Sequence, residues 1–164
     1  MLDKQSYITY LSRLYSHADV NYKAAEELEI VINSGTVEPT KYLCVTVAEM
    51  WYAAEELEKS LVAFEKAGRA ATDGEIDLRR GFILIDMENW EAALEALDRA
   101  LSKGGLDDRR SGEAYLLRGM AKFSLGRFDA ASSDWGKASR YESSKDAARQ
   151  WMNHLREERL RRAP

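Results

Sequence analysis

Small side chains recur along this chain at a fixed spacing. Gly119 is followed twelve residues later by Ala131 and seven after that by Ala138. The same pattern matches at Gly81, Ala93 and Ala100, and again at Ala48, Ser60 and Ala67. A weaker copy sits at Ser12, Ala24 and Val31. The first members of the four copies lie 36, 33 and 38 residues apart. A period of this size marks stacked helical hairpins, because one hairpin cannot bury its apolar face alone.

The large residues keep the same register. Leu28, Phe64, Leu97 and Trp135 each follow the second small residue by four and precede the third by three, an i, i+4, i+7 stripe on one helix face. Ile8, Cys44 and Tyr115 precede the first small residue by four; Tyr15, Trp51 and Leu84 follow it by three. Each unit reads as a helix A, a short turn and a helix B. Two antiparallel helices whose axes lie about 8–10 Å apart leave little side-chain volume at the crossing. Gly119 and Ala131 are expected to face each other there. A mid-helix glycine costs about 0.8–1.0 kcal/mol relative to alanine, so its recurrence at Gly81 and Gly119 argues for a packing role. No stretch alternates with period two, no Asn-Gly turn occurs, and both prolines, Pro39 and Pro164, lie outside the periodic stretches.

The boundaries agree with the repeats. Gly35 and Pro39 separate the first two units, and Gly104–Gly105 stand just past a helix end, where a left-handed residue is wanted. Thr72 with Glu75 has capping-box spacing. After the fourth unit, Ala148, Trp151, Met152 and Leu155 form another i, i+3, i+4, i+7 stripe, and nearly everything from Arg156 on is charged. One sealing face and one wet face are expected of a capping helix.

Composition excludes several functions. The 164 residues are 45% hydrophobic and 32% charged, enough for one domain with a core. Lys and Arg number 24 against 28 Asp and Glu, a net charge of −4, a poor match for a nucleic-acid backbone. The single cysteine, Cys44, cannot form an intramolecular disulfide and falls on an apolar stripe. The start has no long apolar core after a basic head, and no stretch approaches the roughly 20 apolar residues that span a bilayer. His17 and His154 lie far apart, outside any metal-ligand spacing. No phosphate loop, nucleophile elbow or acid/base pair is present; Glu26–Glu27 and Glu55–Glu56 point about 100° apart on their helices. An enzyme, a cofactor and a metal are not expected.

Gly or Ala at the eighth position of a unit, Ala at the twentieth, an apolar residue at the twenty-fourth and Ala at the twenty-seventh resemble the tetratricopeptide repeat. "YLLRGMAKFSLGRFDAASSDWGKAS" is the clearest copy. The resemblance implies an all-α fold, a right-handed superhelical stack of antiparallel helix pairs with a C-terminal capping helix. It implies a single domain over 1–164, with repeats at about 5–38, 41–74, 74–107 and 112–144 and the cap at about 145–162. The chain departs from the pattern in several places. Proline is missing at the thirty-second position, Asp77 stands where an aromatic is common, and Arg80, Arg118 and Lys122 occupy sites that are usually apolar. Snorkelling, or pairing with Asp98 and Asp134, accounts for the three cations; a polar strip for a partner's carboxylates is the sharper alternative.

In this family, helices A line a concave wall that binds protein segments. Carried onto this sequence, the wall holds Tyr42, Val45, Glu49 and Tyr52; Glu75, Leu78, Phe82 and Ile85; and Glu113, Leu116, Met120 and Phe123. A wall this apolar implies a non-enzymatic scaffold for a protein or peptide partner. "YKAAEELEIVINSGTVEPT", "ATDGEIDLRRG", "WEAALEALDRALSKGGL" and "SSKDAARQW" also resemble, in order, the C-terminal region of tetratricopeptide-repeat proteins associated with bacterial TonB–ExbB–ExbD systems. That narrower resemblance implies the C-terminal part of a longer, periplasmic array with TonB, ExbB or ExbD components as partners. The alternatives are a structural or self-associating segment of a larger superhelix, and a cytoplasmic location.

Overall fold

A computed structural model describes residues 21–68 and 71–162. Every regular element among them is an α-helix: α1 Asn21–Asn33, α2 Lys41–Ala53, α3 Leu57–Gly68, α4 Glu75–Asp86, α5 Trp90–Lys103, α6 Asp108–Ser124, α7 Phe128–Ala138 and α8 Lys145–Arg162. They form two compact units that divide between Ala71 and Thr72. In the first, α2 packs on α1 and on α3. In the second, α4 and α5 pair, both touch α6, α6 pairs with α7, and α8 lies on α6 and α7. Ser12, Ile8 and Tyr15, the expected helix A of the first repeat, lie outside the described residues.

Local chemistry starts and stops these helices. Thr40, Asn89 and Asp107 sit at N-caps, and their side-chain oxygens accept hydrogen bonds from the backbone N–H groups of Leu43, Ala92 and Arg110. The three described first helices, α2, α4 and α6, end the same way. The N–H of Glu56, Asn89 and Arg127 donates to the carbonyl of Trp51, Leu84 and Lys122 at 2.8–2.9 Å. The preceding residues, Glu55, Glu88 and Gly126, have φ of 60°, 54° and 73°. This is the six-to-one closure around a left-handed residue. The expected capping box at Thr72 is not the one used. Helix α4 begins at Glu75 behind Gly74, and Asp73 Oδ1 accepts from the Glu75 N–H at 3.2 Å. Gly74 is there for close approach, since a Cβ would stand 2.1 Å from the Ala100 carbonyl oxygen.

The register sets the core. Leu28, Phe64, Leu97 and Trp135 are all buried, as are Ala24, Ser60, Ala93 and Ala131 at the second small position. At the crossings the fit is tighter than small facing small. A Cβ on Gly81 would lie 2.6 Å from Leu97 Cδ2, and one on Gly119 2.3 Å from Trp135 Nε1. Each glycine is a slot for the large side chain of its own helix B. In the first unit Ala48 and Ser60 hold the equivalent positions, and the Ser60 hydroxyl donates to the Ala48 carbonyl at 2.7 Å. That bond satisfies a hydroxyl that burial would otherwise leave unpaired. At the C-terminus, Ala148 and Leu155 join Ala131, Trp135 and Ala138 in one cluster, and Trp151 and Met152 pack against it. The expected capping face is the one α8 buries.

Two glycine-to-alanine changes separate slot from propensity. Gly136→Ala, on α7 with nothing within 4 Å of the new methyl, should stabilise by up to about 1 kcal/mol. Gly119→Ala gains the same propensity but drives a methyl into the Trp135 ring, and should destabilise by roughly 1–3 kcal/mol. Urea unfolding of both variants reads the two signs; stabilisation by both would remove the slot.

Candidate functional site

The expected wall residues divide three ways. On α2, Tyr42, Val45, Glu49 and Tyr52 recur at i, i+3, i+7 and i+10, hence on one face. Tyr42 is 52% exposed, Glu49 is exposed, and Val45 and Tyr52 are half-buried. On α4 the stripe Leu78–Phe82–Ile85 differs from an open wall. Leu78 and Ile85 are core residues, because α4 is covered by α6 as well as by α5. Phe82, between them, stays 37% exposed, and Glu75 is half-buried in an ion pair with Arg110 of α6.

On α6, Glu113, Leu116, Met120 and Phe123 are all half-buried, and the last three pack against the C-terminal core cluster. Phe123 is the most enclosed by rings. Its centroid lies 5.4 Å from Phe128, 5.9 Å from Trp135 and Trp151, and 5.3 Å from His154. Trp135 and Trp151 stack at 5.4 Å. The capping helix thus supplies rings against the far end of the α6 face. Tyr42 and Phe82 remain as large exposed apolar groups on first helices, one in each unit.

Arg118 and Lys122 are satisfied internally, and Arg80 pairs with Asp77 although its buried Nε makes no hydrogen bond. Asp134, buried on α7, accepts from Arg118 Nε and Nη2 at 2.7 Å each and from Lys122 Nζ at 2.7 Å. Arg118 Nη1 also donates to Asp98 of α5 at 2.7 Å. Burial pushes the Asp134 carboxyl up, but the bonds and charges of Arg118 and Lys122 outweigh it and hold the pKa below the ordinary value. Burial likewise disfavours the charged Arg118, and Asp134 and Asp98 reverse that, raising it. Asp77, buried on α4, is ringed by Lys103 Nζ at 2.7 Å, Arg99 Nε at 3.2 Å and Arg80 Nη1 at 3.7 Å. The Lys103 contact is an ion pair without hydrogen-bond geometry, so Asp77 Oδ2 has no hydrogen bond. Pairing, rather than a strip held open for a partner, occupies Arg118 and Lys122.

One cluster has no signal in the sequence. Lys59 Nζ sits 4.5 Å over the Tyr22 ring and 4.4 Å over Trp51, and donates to the Tyr22 hydroxyl at 3.1 Å. Tyr22 and Trp51 meet edge to face at 5.1 Å. The three residues come from three helices and hold different register positions. Cys44 is half-buried, and burial raises its thiol pKa although nearby Lys66 opposes this. Among the described residues, no group of three or more His, Cys, Asp and Glu could hold a metal ion, and no helix is long and apolar enough to cross a membrane.

No family model matches the sequence, and no curated protein matches it. Solved structures match it in fold. MamA from Desulfovibrio magneticus RS-1, from its residue 41 onward, has a TM-score of 0.71 at 15% identity, over 99% of this chain and 99% of that one. A tetratricopeptide repeat protein from Parabacteroides merdae has a TM-score of 0.69 at 17% identity, over 95% of this chain and 67% of that one. The tetratricopeptide-repeat domain of Arabidopsis OM64 has a TM-score of 0.64 at 19% identity, over 73% and 96%. The fold class is therefore the all-α, tetratricopeptide-type class of antiparallel helix pairs.

The ion network carries a testable linkage. A carboxyl held low in the folded state contributes stability that is present above the unfolded pKa of about 3.9 and is lost as pH falls toward the folded value. Asp134→Asn should flatten stability against pH below about pH 5 relative to the parent protein. Asp134→Ala, which strands Arg118 and Lys122, should cost roughly 3–5 kcal/mol. Thermal melts from pH 7 to pH 2 check both; an unchanged acid slope in Asp134→Asn would detach this carboxylate from acid stability.

Proposed function

We propose that the protein is a non-enzymatic interaction scaffold whose first helices bind a segment of a partner protein. The observation that carries this reading is the exposure of Tyr42 and Phe82 at the first-helix positions where the tetratricopeptide pattern places partner contacts. Everything at the helix crossings is buried, so these two rings are exposed by position rather than by loose packing. An aromatic ring gives large contact area for little rotamer entropy, which is why such residues anchor interfaces. By the same repeat pattern, Val45, Glu49 and Tyr52 on α2, and Glu75, Glu113, Leu116 and Met120 on α4 and α6, are the remaining contact positions, exposed or half-buried.

The finer reading is a periplasmic accessory of a TonB-dependent transport system, with TonB, ExbB or ExbD components as partners. Its support is the ordered resemblance of four sequence segments, from "YKAAEELEIVINSGTVEPT" to "SSKDAARQW". Bacterial two-hybrid pairing with the periplasmic domains of those three proteins tests it directly.

For the surface itself, Tyr42→Glu with Phe82→Glu is the informative variant. Both side chains already meet solvent, whereas Leu78, Ile85 and Phe123 serve the core. Peptides selected from a phage-displayed library on the parent protein should lose at least about tenfold in affinity for the double variant. Helix content by circular dichroism should be unchanged. Equal binding by the variant removes the first-helix face from the account.

A further inference from the structure

The second helices carry a different surface. Residues 21–71 hold nine acidic and five basic residues, a formal −4 that is the whole net charge of the chain. Two links tie α1 to α3, seven residues apart on each helix: Lys59 to the Tyr22 hydroxyl at 3.1 Å and Lys66 to Glu29 at 3.6 Å. Beside those links Ile30 is 62% exposed and Val62 52%, with the carboxylates of Glu26, Glu27 and Glu58 exposed near them in sequence. An aliphatic residue held in water among exposed carboxylates fits an apolar group carried by cations. The chain contains such a segment. Helix α8 has six basic and three acidic residues, and Leu160 on its last turns is 71% exposed, with exposed Arg156 and Arg161 close by.

We infer that the α1–α3 face binds the C-terminal half of α8 from a second copy of this chain. Leu160 lies against Ile30 and Val62, and Arg156 and Arg161 approach the glutamates. Used one way, the contact is heterologous and grows assemblies with concentration; used reciprocally by two copies, it closes a dimer. Its electrostatic part weakens with salt, because the Debye length falls from roughly 30 Å at 0.01 M to about 3 Å at 1 M. The α1–α3 surface shares no residue with the first-helix positions Tyr42 of α2 and Phe82 of α4.

Sedimentation velocity on the whole chain at low salt tests this. The weight-average mass should rise roughly twofold or more above monomer with increasing concentration, and fall back at high salt. Glu26→Lys with Glu27→Lys should remain monomeric, as should Arg156→Glu with Arg161→Glu. An equimolar mixture of the two variants should associate again, since each reversed patch then meets its complement. All four positions are exposed, and circular dichroism checks that each variant folds. A monomer at every concentration in low salt overturns the inference, as does association that both variants retain or that mixing fails to restore. Association lost in Tyr42→Glu with Phe82→Glu, but kept in the charge variants, overturns it in favour of the first-helix face.

Discussion

The geometry of each repeat depends on how closely helix A approaches helix B at one point. The described crossings use two solutions. At Gly81 and Gly119 the missing side chain is a recess that the next helix fills with Leu97 or Trp135. At Ala48 the partner is Ser60, whose hydroxyl bonds the Ala48 carbonyl directly. The recess admits a larger ring as the partner grows, and Trp135 uses its position to donate its indole N–H to the Leu116 carbonyl at 3.2 Å. Once the crossing is fixed, the i+4 and i+7 positions of helix B fall inside the pair, and the stripe Leu97–Ala100 or Trp135–Ala138 is buried without further instruction.

Sequence showed this architecture well because its information is periodic. Small residues at the crossings and large ones at fixed offsets can be read without knowing any contact. The capping helix was legible for the same reason: Ala148, Trp151, Met152 and Leu155 repeat at helical spacing. Two features were not. The left-handed residue that closes each helix A is glutamate at Glu55 and Glu88 and glycine only at Gly126, so the turn signal is absent in two units of three. The start of α4 was misplaced because Gly74 was needed for its lack of volume against Ala100, while Thr72 offered a plausible but unused cap.

The candidate surface was only partly legible. Helical spacing correctly grouped Leu78, Phe82 and Ile85 on one stripe, but spacing says nothing about what covers a stripe. Contact of α4 with both α5 and α6 takes Leu78 and Ile85 inside and leaves Phe82 at the margin. On α6 the covering comes from the C-terminus, as Trp151 and His154 close on Phe123. The proposed partner contacts are ordinary side chains distinguished only by exposure, so sequence reasoning has little else to find them by.

The buried charges make the helix pairs non-interchangeable. Repeats built on one register invite a second helix to pair with the wrong first helix, a common failure of repeat chains. In α7 the residue three after the second small position is Asp134, and it answers Arg118 and Lys122. In α5 the same register position is Ala96, which is buried. Pairing α6 with α5 in that register would set two cations against a methyl group. The converse exchange would present α4 with α7, which ends at Ala138 and carries no lysine in the register place of Lys103, so one of the cations around Asp77 is lost. An unpaired buried charge costs roughly 3–5 kcal/mol, whereas the net gain from a paired one over an apolar contact is small or negative. The departures from the repeat pattern at Asp77, Arg118 and Lys122 therefore add little to the stability of the correct pairing and much to the cost of the wrong one.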